Sequence, residues 1–153
     1  MKLAEALIQR ADAQTRLQQL RGRLQRSASV QEGDEPPEDP EALLSEVDNV
    51  LVEIATLIKQ INRTNAATRF DDERTLTDAL ADRDILMSER RVISDVINAA
   101  EPQIRYGRME IKYEATVSIA GLQNRVDDIS RRYRELDSAI QQLNWTVDLI
   151  EDE

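Results

Sequence analysis

The sequence predicts a mainly α protein: four long helices in a bundle or coiled-coil arrangement, with a small β element near residues 104–117. Three observations carry this. Apolar residues recur with a period of about 3.6 residues over four separate segments. Gly and Pro number only four each and aromatic residues make up 3% of the chain, too few for the turns of a sandwich or barrel or for a Gly-built nucleotide loop. One stretch departs from helical spacing and alternates instead. At 153 residues a single helical domain is expected, with helices over about 2–26, 41–62, 76–100 and 119–150, an acidic Pro-rich connector over 27–40 and a strand over 108–117.

The first helix carries Leu3, Ala6, Ala13, Leu17, Leu20 and Leu24, with Arg10 in the slot between the alanines, so a narrow stripe should pack on one side only. Residues 27–40 are rich in Pro, acids and small side chains, which oppose continuous helix. Asp39 is a suitable N-cap for the second helix, and Pro40 fits its first position, where no backbone donor is required. In that helix Leu44, Val47, Leu51, Ile54, Ile58 and Ile61 form the predicted seam, and Leu43, Val50 and Leu57 widen it on one flank, a width suited to the inside of a bundle.

The third helix is expected to start at Thr75 or Thr77, with Asp78 complementing the positive helix end, and to stop before Pro102. Its inward set reads Leu76, Ala79, Leu80, Leu86, Val92, Ile93, Val96, Ile97 and Ala100, with Arg83 and Arg90 in the same register and Asp84 and Glu89 as acids to pair them. In 109–118, Met109, Ile111, Tyr113, Ala115 and Val117 alternate with polar residues, which predicts a strand. The spacing of Met109, Tyr113 and Val117 keeps a helix open as the alternative. Ser118 should cap the last helix, whose seam Ile119, Leu122, Val126, Ile129, Tyr133, Leu136, Ile140, Leu143, Val147 and Ile150 steps by 3 and 4 in strict alternation. A slender helix with one apolar stripe cannot bury it alone, so partner helices are required.

Charge and composition limit the chemistry. The net charge is −10, with no His and no Cys. Imidazole catalysis, thiolate nucleophiles, disulfides and Cys or His metal sites are therefore excluded, and no cofactor or metal is expected. Six cations fall in residues 1–26 against two acids, whereas residues 27–48 hold eight acids and no cation. Internal neutralisation, or pairing with an acidic neighbouring subunit, accounts for this better than a nucleic-acid arm on an acidic protein. No apolar h-region opens the chain and no 18-residue apolar run occurs, so a cytoplasmic protein that does not span a membrane is expected.

The motifs Gln31-Glu32-Gly33, Ile61-Asn62-Arg63-Thr64-Asn65, Thr75-Leu76-Thr77-Asp78-Ala79-Leu80, Glu110-Ile111-Lys112-Tyr113 and Arg134-Glu135-Leu136-Asp137, with Ile140-Gln141 and Asn144-Trp145, resemble a bacterial family of small helical proteins labelled septicolysin. The resemblance covers nearly the whole chain. It implies a helical fold and no particular activity, and it does not imply a cytolysin, since no lipid-reaching segment is present.

Two clusters stand out as sites. Arg63, Arg69 and Arg74, with the helix start at Thr75 and Thr77, could hold a carboxylate or phosphate through guanidinium groups and backbone donors. The alternative is that Asn and Thr end helix two and cap helix three while the arginines pair with Asp71, Asp72 and Glu73. Gln141 and Asn144 flank the seam near the end of the last helix and could fix register between helices or subunits, with Trp145 covering the bundle end or an interface. Tyr113 belongs to the same expected interface set. The leading expectation is a non-enzymatic protein acting by self-assembly, as a homo-oligomer, or by partner binding. The alternatives are an anion or small-metabolite binder using the arginines of 63–74 and, third, an enzyme built on paired carboxylates.

Overall fold

The computed structural model describes residues 1–101 and 112–151. Four helices follow in order: α1 (Leu3–Ser27), α2 (Pro40–Ala67), α3 (Leu76–Ala100) and α4 (Ile119–Thr146). They are distributed over two compact units, Met1–Arg69 with Gln142–Glu153, and Phe70–Gln141.

Helix starts obey local chemistry. The Asp39 carboxylate accepts the Glu41 N–H at 3.1 Å with Pro40 as the first helical residue. Thr75 and Asp78 form a capping box, the Thr75 N–H donating to the Asp78 carboxylate at 2.8 Å and the Asp78 N–H to the Thr75 hydroxyl at 3.3 Å. The Ser118 hydroxyl accepts the Gly121 N–H at 3.1 Å and so caps α4. Lys2 precedes α1 without an acceptor of its own, and the Glu5 carboxylate reaches back to its backbone N–H at 2.6 Å.

In the first unit, α1 and α2 form an antiparallel hairpin around Ala13, Leu20, Leu43, Val50 and Ile54, with Leu17, Leu24 and Val47 packed at the edge. Two arginines of α1 clasp acids across it: Arg16 donates to Glu53 at 2.7 Å, and the Arg23 Nε to Glu38 at 2.9 Å. The connector carries no helix between Ala28 and Asp39. It turns where the Asp34 N–H donates to the Gln31 carbonyl, and Gly33 there takes φ 87°, a conformation costly to any residue with a Cβ.

The ends of α2 and α4 depart from the sequence expectation. α2 runs on to Ala67 rather than stopping near 62, because the Thr64 hydroxyl folds back onto the Gln60 carbonyl at 2.8 Å and the Thr68 N–H closes the last turn on the Thr64 carbonyl. Helix α4 ends at Thr146, not at 150. Beyond it the chain is extended and ties to the start of α1: the Leu3 N–H donates to the Val147 carbonyl, the Leu149 N–H to the Met1 carbonyl, and Lys2 to the Thr146 carbonyl. The Ile150 N–H donates to the buried Thr64 hydroxyl at 2.9 Å. These partners offer the terminal residues hydrogen bonds that one more helical turn would forgo.

The larger correction concerns the seam of α2. Leu43, Val50, Ile54, Leu57, Ile61 and Thr64 are buried, while Leu44, Leu51 and Ile58 of the predicted seam are exposed, and so is Val52. The flank faces inward and half the seam faces out. Two adjacent stripes share one periodicity, and the small residues of α1 receive only one of them.

In the second unit α3 and α4 also run antiparallel, around Leu86, Ile93, Ile97 and Ile129, with Ile119, Leu122, Val126, Tyr133 and Leu136 packed against them. Arg83 reaches Asp137 at 2.9 Å and Arg125 reaches Glu89 at 2.7 Å across the hairpin. Leu76 and Ala79 are buried as expected, but Val92 and Val96 are exposed, together with Ile85. The expected β element is not found where it can be followed. Residues 112–117 are exposed and form no strand, since alternation without a partner edge yields no ladder, and 104–111 lie outside the described residues. Among the described residues β pairing is confined to isolated bridges, such as that between Lys2 and Asp148.

Candidate functional site

The arginine cluster is divided between the units. Arg63 and Arg69 are exposed members of the first, and Arg74, Thr75 and Thr77 belong to the second. Around Arg74 the local sequence builds a closed knot. Its Nε donates to Asp71 at 2.8 Å, its Nη1 donates to Asp82 at 2.8 Å, and the guanidinium lies 5.0 Å from the centre of the Phe70 ring. The side-chain bond from Arg74, with backbone N–H groups of Arg74 and Glu73, holds the Asp71 carboxyl below its ordinary range. Asp78 is likewise lowered, chiefly by the backbone N–H of Thr75 and then by its hydroxyl. Arg74 is raised by its bonds to Asp82 and Asp71. An incoming anion would meet a guanidinium already neutralised by two carboxylates and a helix start already capped. Thr77 is exposed beside this knot and not part of it.

An open groove of about 620 Å³ between α3 and α4 adjoins Arg74, with Phe70, Ile85, Arg132, Glu135 and Ala139 among its walls. Its carboxylates do not present a facing pair. Asp82 is held by Arg74, Glu89 by Arg125 and Glu135 by Arg131. Among the described residues no group of three or more acids is placed to hold a metal ion. Nor is any described helix long and apolar enough to cross a membrane.

The second predicted cluster points in different directions. Asn144 is buried in the first unit, whereas Trp145 is 55% exposed. Gln141 is exposed in the second unit, its amide 3.5 Å from the Asp137 carboxylate, and Tyr113 is 66% exposed. Asn144 alone has the inward placement of a register-fixing residue.

The larger feature that sequence reasoning misassigned, apart from Val92 and Val96 of α3, is the outer face of α2. Leu44, Leu51 and Ile58 repeat every seven residues along it, and Val52 beside them is 68% exposed. Its signal was legible as excess width: two adjacent apolar rows on α2, against one narrow row on α1.

Three comparisons bear on identity. The model of a family of unknown function (DUF6847) matches residues 10–149. The fold is similar to a crystal structure of a functionally unknown conserved protein from Corynebacterium diphtheriae, with a TM-score of 0.91 and 43% identity over 98% of this chain and 99% of that one. No curated protein matches the sequence. Neither match carries the septicolysin label, so that resemblance has no support from them.

Proposed function

The chain belongs to the DUF6847 family of unknown function, and we propose that it acts by association rather than catalysis, docking another protein surface on the outer face of α2. One observation carries the reading: Leu44, Leu51, Val52 and Ile58 stay exposed on a helix whose adjoining row is already packed. Single exposed apolar residues are ordinary, but a row repeated at heptad spacing is the pattern of a helix that packs on two sides. The pairing of the groove's acids with arginines supports the non-catalytic half of the reading.

Photo-crosslinking in cells tests it. A photoreactive residue at Val52 should give covalent adducts with a protein, while the same residue at Gln14, an exposed polar position of α1, should give none. Equal yields at the two positions, or no adduct at Val52, would remove the reading.

A further inference from the structure

The charges beside the exposed row of α2 are sorted along the helix. Residues 41, 48, 52 and 59 follow steps of seven, four and seven, so Glu41, Asp48, Val52 and Lys59 share one flank of the Leu44–Leu51–Ile58 row. All four are exposed. The acids lie toward the N-terminal end and the lysine toward the C-terminal end, with Leu51 at the midpoint of the apolar row.

This arrangement is complementary to itself when reversed. If two copies of α2 pack antiparallel about Leu51, Leu44 of each faces Ile58 of the other, and the flank of one copy meets the same flank of its mate. Lys59 then lies beside Glu41 of the second copy, with Asp48 about two turns on from Glu41. A parallel pairing would instead turn this flank of each copy away from that of its mate, toward the side that carries the buried Val50 and Ile54, and leave the charges unmatched. We infer that the occupant of the α2 outer face is a second copy of this chain, held antiparallel on a two-fold axis at Leu51. The inference rests on the reading of this face as a docking surface and goes further by naming the partner and its polarity. The row from Leu44 to Ile58 is about 21 Å long at the rise of an α-helix. The interface therefore falls among the small ones, below about 1,200 Å² in total, the size of weak and transient contacts.

Sedimentation velocity over a concentration series tests the inference, with circular dichroism to confirm that each variant remains helical. Lys59→Glu makes the flank wholly acidic, and Glu41→Lys with Asp48→Lys makes it wholly basic. Each variant alone should dimerise about tenfold more weakly than the wild type, since two symmetry-related attractions become repulsions. An equimolar mixture should form a heterodimer of at least wild-type strength, and 1 M salt should erase these differences. Leu51→Asp should remain monomeric throughout.

A wild-type chain monomeric up to about 1 mM, the weak end of specific association, would overturn the second copy as occupant. In that case Val52 adducts with a different protein would leave the docking reading intact, whereas no adducts would end both. A wild-type dimer that tolerates both charge reversals would overturn the antiparallel register, and one that tolerates Leu51→Asp would overturn the face itself.

Discussion

The α1–α2 and α3–α4 hairpins solve one problem with different materials. Each is antiparallel, each is clasped by two arginine–carboxylate pairs, and each leaves an apolar row outside: Leu44, Leu51 and Ile58 on α2, Ile85, Val92 and Val96 on α3. The first sets Ala13 on α1 against the bulky side chains of α2, while the second joins branched aliphatics on both helices and adds Tyr133. Only the first is fastened at its open end by the chain's terminal segments. The difference teaches that heptad spacing on a helix reports how many faces can be buried, and that the partner helix decides how many are.

The largest effects should come from emptying either core. Leu20→Ala and Ile129→Ala, at positions 1% and 2% exposed, should each cost about 2–5 kcal/mol in chemical denaturation. Native-state hydrogen exchange sharpens the comparison: Leu20→Ala should lower protection chiefly in α1 and α2, and Ile129→Ala chiefly in α3 and the first part of α4. Equal loss everywhere would mean that the hairpins open as one cooperative unit.

Next comes the fastening peculiar to the first hairpin. Thr64→Val keeps the shape but removes the acceptor of the Ile150 N–H, and losing this part-buried hydrogen bond costs about 0.5–1.5 kcal/mol. Thermal melts should show this loss, and a change within error would make the terminal clasp decorative.

Two glycines give smaller effects of opposite sign. Gly33 holds φ 87°, so Gly33→Ala should destabilise by roughly 1 kcal/mol. Gly22 lies inside α1, where an added Cβ would meet only the flexible end of Arg26 at 3.4 Å. Gly22→Ala should therefore stabilise by up to about 1 kcal/mol. Urea titration of the pair checks both signs.

Acidification should produce the mildest change and act on both hairpins. The Arg23 side-chain bond holds Glu38 below its ordinary 4.5, and the Arg74 bond holds Asp71 below its ordinary 3.8. A carboxylate lowered by folding contributes fully above its ordinary value, and the contribution disappears as pH falls through the lower folded value. Melting temperature should be flat from pH 7 to about 5 on this account and decline below about 4. Because these groups are at the surface, added salt should shrink the decline. A rise in stability on acidification would contradict the assignment.

What could be read from the chain was local. Asp39 with Pro40, Thr75 with Asp78 and Ser118 mark helix starts because a short side chain satisfies a backbone N–H two or three residues away, and nothing distant is involved. The pairing of Arg74 with Asp71 was legible for the same reason, three residues apart, while its bond to Asp82 needed the knot to form. The ends were less legible. Thr64 looked like a helix terminator, and only the arrival of Ile150 gives its hydroxyl a reason to sit buried inside a longer α2.

The sequence by itself determined four helices, their caps and the membership of each apolar row, since a 3.6-residue turn fixes which side chains share a face. It could not determine how far each helix is rotated about its own axis. Leu43 and Leu44 are neighbours in sequence and equal in hydrophobicity, yet one is buried and the other exposed. Ala13 and Leu20 of α1 decide between them, because the shape of a partner surface selects which row interlocks, and that shape exists only once the hairpin has closed.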